Sequence, residues 1–160
     1  NTNEWGDIGT TIIVDAANGI GGYTDWTDEN SFLRTHFQPQ VILETSEREY
    51  YDYFVRQDIK IDYLHIDGDH SYEGVKKDFE LYSQIMSENG IITIHDIDQK
   101  YQDTFIITEE AKKDFVPFDG PAKFNKELEK NNDWNLVNLK NFRMFTSKTT
   151  STGLTVLTKK

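Results

Sequence analysis

The chain has 160 residues, and its 28 acids against 17 bases give a formal charge of −11, a field that repels polyanions and argues against nucleic acid as a partner. Hydrophobic residues make up 36% and aromatics 13%, enough to bury the core of one globular domain. No run approaches the roughly 18 apolar residues of a membrane span, the opening Asn1-Thr-Asn-Glu4 lacks the pattern of a signal peptide, and the absence of cysteine removes disulfides and thiolate chemistry and fits a cytoplasmic protein.

Residues 11–15, Thr-Ile-Ile-Val-Asp, form a short apolar run that ends in an acid and a glycine-rich turn, which reads as strand then loop. Residues 27–37 read as a helix, with acids in the first turn and Pro39 just beyond the end. Residues 40–44 form the second strand, and Ser46-Glu-Arg-Glu49 has the spacing of a capping box for a helix to about Arg56. The third strand covers 61–67.

From 71 to 86 the apolar positions Tyr72, Val75, Phe79, Tyr82, Ile85 and Met86 recur at helical steps. Asn89-Gly90 is expected to end that helix in a left-handed turn, and 91–95 is the fourth strand. Residues 98–119 are polar, aromatic and irregular, as a flap would be. Gly120-Pro121 opens a helix over 122–130, and strands at 134–140 and 152–158 flank a polar turn at 146–151. The order defines an α/β domain with a mainly parallel sheet and a terminal strand pair.

Two of these strands run directly into ionisable side chains. Lys60-Ile-Asp-Tyr-Leu-His-Ile66 discharges into Asp67, Asp69 and His70, and Gly90-Ile-Ile-Thr-Ile94 discharges into His95, Asp96 and Asp98. The carboxyl ends of neighbouring strands are where an open α/β sheet places its ligand. Gly68 is expected to turn the chain tightly enough to aim Asp69 and His70 at one cavity, although both could equally start the following helix. His65 alternates with Asp67 on one face but lies in mid-strand, and reads as a satisfied core histidine. His36 reads as solvated.

The stretch Leu64-His-Ile-Asp-Gly-Asp-His-Ser-Tyr-Glu-Gly-Val-Lys-Lys-Asp78, with Asn89-Gly-Ile-Ile-Thr-Ile-His-Asp96 downstream, resembles class I S-adenosylmethionine-dependent methyltransferases. The resemblance is to the branch with an IDGDHSYE-type signature, which includes sugar and natural-product O-methyltransferases. It implies a Rossmann-like sheet, mostly parallel with an antiparallel C-terminal strand and flanked by helices. It also implies S-adenosylmethionine as cofactor, with Asp15 on the ribose, Ser46 beside the adenine, and Asp67 and Gly68 bordering the cofactor. His70 resembles the proposed general base. Asp67, His95 and Asp96 resemble a divalent-metal site, for Mg or Mn, that holds two vicinal substrate oxygens. Relatives more often carry an acid at the position of His95, and imidazole favours Mn, Zn, Ni or Fe over Mg. The implied partner is a small hydroxylated acceptor, with sugars as one class, and the open sheet leaves room for a homo-oligomer.

Two alignments to the family stay open. In one, 12–15 is the second strand of the sheet, Asp15 is the ribose acid, and the strand with the glycine-rich cofactor loop belongs to residues upstream of Asn1. In the other, residues 14–22 are that loop and Glu44 is the ribose acid. Asp67-Gly-Asp69 is also the DxD pattern of metal-dependent glycosyltransferases, and a methyltransferase-like domain that binds without turnover is a third reading. Residues 14–22 have a further short likeness to phosphohexomutases, unaccompanied by a phosphoserine loop.

Overall fold

The computed structural model describes residues 9–14, 40–42, 45–98, 119–140 and 153–160. The chain divides into two compact units, Asn1–Tyr53 and Phe54–Lys160. In the first, β1 (Ile12–Val14) pairs in parallel with β2 (Gln40–Ile42), Ile12 opposite Gln40 and Val14 opposite Ile42. Both alignments to the family place two parallel neighbours here. Asp15, the glycine-rich turn, Glu44 and the expected helix at 27–37 lie outside the described residues.

Helix α1 (Ser46–Glu49) continues into a π-helical turn, Tyr50–Val55. The expected capping box is not formed. Thr45 takes the extended N-cap conformation, φ −69 and ψ 144, with no side-chain cap bond, so Ser46 is already helical.

The second unit carries a four-stranded sheet of order β3-β4-β6-β5, built from β3 (Ile61–Ile66), β4 (Met86–His95), β5 (Trp134–Leu139) and β6 (Leu154–Lys159). Strands β3 and β4 are parallel, and β6 runs antiparallel to both β4 and β5. β6 is thus the reversed strand of this sheet, as the resemblance implied. Helices α2 (Tyr72–Tyr82) and α3 (Gly120–Leu128) pack against it.

Period-two alternation sets the faces. Ile66, Ile92, Ile94 and Leu157 enter a core with Val75 and Phe79 of α2 and Phe124 of α3, each fully buried apolar side chain contributing about 1.5–3 kcal/mol. The phenyl rings of Phe79 and Phe124 meet edge to face at 5.3 Å. The residues between them on β3 and β4, Tyr63, His65, Thr93 and His95, belong to the other face of the sheet.

The end of α2 departs from expectation. The helix stops at Tyr82, a 3-10 turn carries Ser83–Ile85, and Met86 already pairs with Ile61 in β4. The next pair is Tyr63 with Ile91, so residues 87–90 bulge out of the ladder. Neither Asn89 nor Gly90 is left-handed. Gly90 is needed for space: a Cβ there would lie 2.7 Å from Met86 Cε and 3.1 Å from the Ile61 carbonyl oxygen.

Candidate active site

Strands β3 and β4 end side by side, with Ile66 opposite Ile94, and the residues that follow converge. Asp67 Oδ1 accepts hydrogen bonds from His70 Nε2 at 3.3 Å and His95 Nδ1 at 3.2 Å. His70 Nε2 also stands 3.4 Å from Asp96 Oδ2, and His95 Nδ1 stands 3.3 Å from Asp96 Oδ1. Asp67, His70, His95 and Asp96, all singled out by the sequence, therefore form one cluster. Asp96 takes part because its backbone is left-handed, φ 58, a conformation that Asp tolerates better than most residues. Its Oδ1 is buried and accepts no hydrogen bond. One ligand atom from each of Asp67, His95 and Asp96 lies within 4.8 Å of the others.

Electrostatics follow from these contacts. Burial opposes ionisation of Asp67, but the bonds from His70 and His95 outweigh it and hold the carboxyl well below the usual range. His70 and His95 are raised above 6.5, first by their bonds to Asp67, with burial working against and Asp96 adding to the rise. His65 is lowered, first by burial.

A group held below its unfolded pKa stabilises the fold above that value and loses the effect as pH falls; a group held above it stabilises the fold below that value and loses the effect as pH rises. Asp67 therefore contributes above about pH 4, and His70 and His95 contribute below about pH 6.5. His65 acts in the opposite sense to the other two histidines. In EDTA, the thermal midpoint is expected to be higher at pH 5.5 than at pH 8. Asp67→Asn should shrink that difference; an undiminished difference would mean that the cluster does not cause it.

Not every predicted residue joins. Asp69 turns away: Oδ1 accepts from the Ser71 N–H at 2.8 Å and Oδ2 from Ser71 Oγ at 3.0 Å, while Ser71 Oγ caps α2 by accepting from the Gly74 N–H at 3.0 Å. Asp69 is thus a helix-start residue, and Gly74 makes room for it, since a Cβ at 74 would lie 2.4 Å from Asp69 Oδ2. Gly68 is not left-handed, and the left-handed residue of the cluster is Asp96, on the other loop at the end of β4. Ser46 is half-buried at the start of α1, and Asp15 lies outside the described residues.

The sequence reading also missed three supports. His65 is no core residue: its side chain is 43% exposed and its Nε2 stands 3.9 Å from Asp67 Oδ2. Its place on the same face as Asp67, two residues away, was the available signal. Gly120 seats the start of α3 against the backbone of 70–72, and Gly153, at φ 85, lies against Ile97 and Asp98 beyond β4. Both loops that carry the cluster are thereby buttressed by chain from far along the sequence. Tyr72 and Lys76 of α2 bond Glu127 of α3, the lysine at 2.8 Å, which ties the two helices together.

The sequence pattern of the methyltransferase-domain family matches residues 4–97, and the chain belongs to that family. Similar solved structures include a candidate caffeoyl-CoA O-methyltransferase from Staphylococcus aureus, 16% identical with a TM-score of 0.62, over 94% of this chain and 65% of that one. An O-methyltransferase from Bacillus cereus in complex with S-adenosylhomocysteine is 11% identical with a TM-score of 0.65, over 97% of this chain and 64% of that one. A methyltransferase from Podospora anserina bound to S-adenosylhomocysteine is 14% identical with a TM-score of 0.55, over 94% and 60%. The α/β methyltransferase fold is shared with these proteins, and the chain spans less than two thirds of their length. No curated protein sequence matches the chain. Among the described residues, no helix is long and apolar enough to cross a membrane.

Proposed function

We propose that this chain is the catalytic part of an S-adenosylmethionine-dependent O-methyltransferase that acts on a small hydroxylated acceptor. The observation that carries the reading is the convergence of Asp67, His70, His95 and Asp96 at the ends of adjacent parallel strands, each histidine within 3.2 to 3.4 Å of both carboxylates, in a member of the methyltransferase-domain family. A sugar-containing acceptor, a cytoplasmic location and a homo-oligomer complete the proposal, and Asp15, Ser46, Asp67 and Gly68 are its cofactor-binding residues.

The cofactor, when bound, supplies the methyl group. His70 takes the proton of the acceptor hydroxyl at Nδ1, because Nε2 already donates to Asp67, and the carboxylates of Asp67 and Asp96 beside Nε2 stabilise the charge the ring acquires. Orientation of acceptor and donor supplies most of the acceleration. Asp67, His95 and Asp96 also fit a divalent cation, because Asp96 Oδ1 is buried without a hydrogen-bond partner and the three donors are close together. Such a cation, when bound, holds acceptor oxygens and lowers the pKa of the hydroxyl.

Asp69 weighs against the glycosyltransferase reading, since its carboxylate is spent on Ser71 rather than shared with Asp67 in a DxD site. Ligand choice separates the two. S-adenosylhomocysteine at 100-fold its Kd is expected to stabilise the protein by about 2.7 kcal/mol, with no effect from UDP and Mn(II). The opposite pattern in a thermal-shift assay would replace methyl transfer by glycosyl transfer, and methylation of no acceptor despite cofactor binding would favour a binding domain.

A further inference from the structure

We infer that the free edge of β5 is a homodimer interface, at which a second copy of this chain pairs its own β5 antiparallel about a two-fold axis through Leu136. The inference gives a surface to the homo-oligomer proposed above and rests on that part of the reading alone. It starts from the sheet order β3-β4-β6-β5, which leaves β5 with a single neighbour. Among the described residues, no backbone group of Trp134–Leu139 bonds to another on the side away from β6.

The register decides which groups face outward. The Lys160 N–H donates to the Asp133 carbonyl at 3.1 Å, and opposed residues in an antiparallel ladder alternate between bonded and unbonded pairs. Residues 133, 135, 137 and 139 therefore bond to β6, and the N–H and C=O groups of Trp134, Leu136 and Asn138 face the open edge. These three positions are symmetric about Leu136. An identical strand laid antiparallel with Leu136 on the axis brings Trp134 opposite Asn138 of the second copy, so that each outward N–H meets an outward carbonyl.

Edge strands that stay single are guarded by a charge, a proline or a bulge. β3, at the other end of the sheet, carries the exposed Asp62. β5 has no such guard: Trp-Asn-Leu-Val-Asn-Leu is uncharged, its ladder with β6 is unbroken, and Val137 and Leu139 are 59% and 47% exposed. Charge favours a second copy as the occupant. The axis at Leu136 brings Lys140 of that copy to the Asn132 end of the strand, beside a cleft lined by Leu128, Glu129, Asn132, Trp134 and Lys160. Glu129 accepts from the side-chain amides of Asn125 and Asn138, and among the described residues it forms no ion pair, so the arriving lysine supplies its counter-charge. In a chain of formal charge −11, an uncharged strand whose end carries a lysine to a carboxylate lets two acidic copies approach.

The test uses the whole chain and light scattering on a sizing column. Wild type is expected at twice the monomer mass, and a monomer overturns the inference. Across this axis Asn135 faces Val137 of the second copy in an unbonded pair, and both side chains are exposed. Asn135→Lys with Val137→Lys sets like charges face to face and is expected to give a folded monomer; Asn135→Glu with Val137→Lys sets opposite charges there and is expected to keep the dimer. The same mass for both variants overturns the pairing. Should either fold poorly by circular dichroism, crosslinking decides, because the chain has no cysteine of its own. An oxidised mixture of Asn135→Cys and Val137→Cys chains is expected to form the mixed disulfide, across a Cα separation of about 4.5 Å, and neither chain alone is expected to crosslink. No mixed disulfide, or one from Val137→Cys alone, overturns the axis at Leu136. Neither measurement involves turnover, so a failure here is distinct from a failure of methyl transfer.

Discussion

Replacing His70 by alanine is expected to lower the rate of methyl transfer by about 100- to 10,000-fold and to leave the affinity for S-adenosylhomocysteine nearly unchanged. The geometry separates the two quantities. His70 Nε2 reaches the oxygens of Asp67 and Asp96 at 3.3 and 3.4 Å, so the ring is anchored in the cluster at the strand ends. Its loss leaves Asp67 still bonded to His95 at 3.2 Å, so the remaining cluster keeps its main internal contact. Turnover should recover in part when imidazole is added to the variant, because the missing element is a proton acceptor. Calorimetry for the cofactor product and initial rates for the reaction supply both numbers. A variant that turns over like wild type would remove His70 from the mechanism.

The second large effect is structural. Gly120→Ala is expected to cost about 1–3 kcal/mol, a fall in Tm of roughly 2–12 °C. The added Cβ would lie 2.3 Å from the His70 carbonyl oxygen and 2.4 Å from Ser71 C and Tyr72 N. All three are backbone atoms, so no flexible side chain can swing aside, and the loop that bears His70 must shift with α3. Gly68→Ala is the contrast, since its nearest contact would be Asp78 Oδ2 at an ordinary 3.8 Å, and its melting point should stay close to wild type. Equal midpoints for the two variants would show that the start of α3 is not seated against that loop.

The parts of this fold that were readable in sequence are those set by local pattern. Alternation in Ile61–Ile66 and in 91–95 announced two strands, and their abrupt ends in Asp67 and His95 announced the site. The faces of Val75, Phe79 and Tyr82 followed from helical spacing, and all three are buried. What could not be read depended on partners distant in the chain. Asn89-Gly90 has the composition of a helix stop, yet Gly90 serves close packing against Ile61. Asp69 looked equivalent to Asp67 until Ser71 claimed both its oxygens. His65 looked like core because burial was inferred from its position within a strand, when exposure depends on what covers that face of the sheet.

The bulge at 87–90 bears on how this chain can change length. Between the Ile61–Met86 pair and the Tyr63–Ile91 pair, β4 holds four residues against one on β3, a reserve of slack upstream of the chemistry. Losing or gaining a residue inside that slack is absorbed before the ladder resumes. The same change between Ile91 and Ile94 would swap the two sides of the strand, sending His95 into the oily interior and a buried isoleucine out to the cluster. Insertions and deletions in this strand are therefore confined to its first half by the phase of the second.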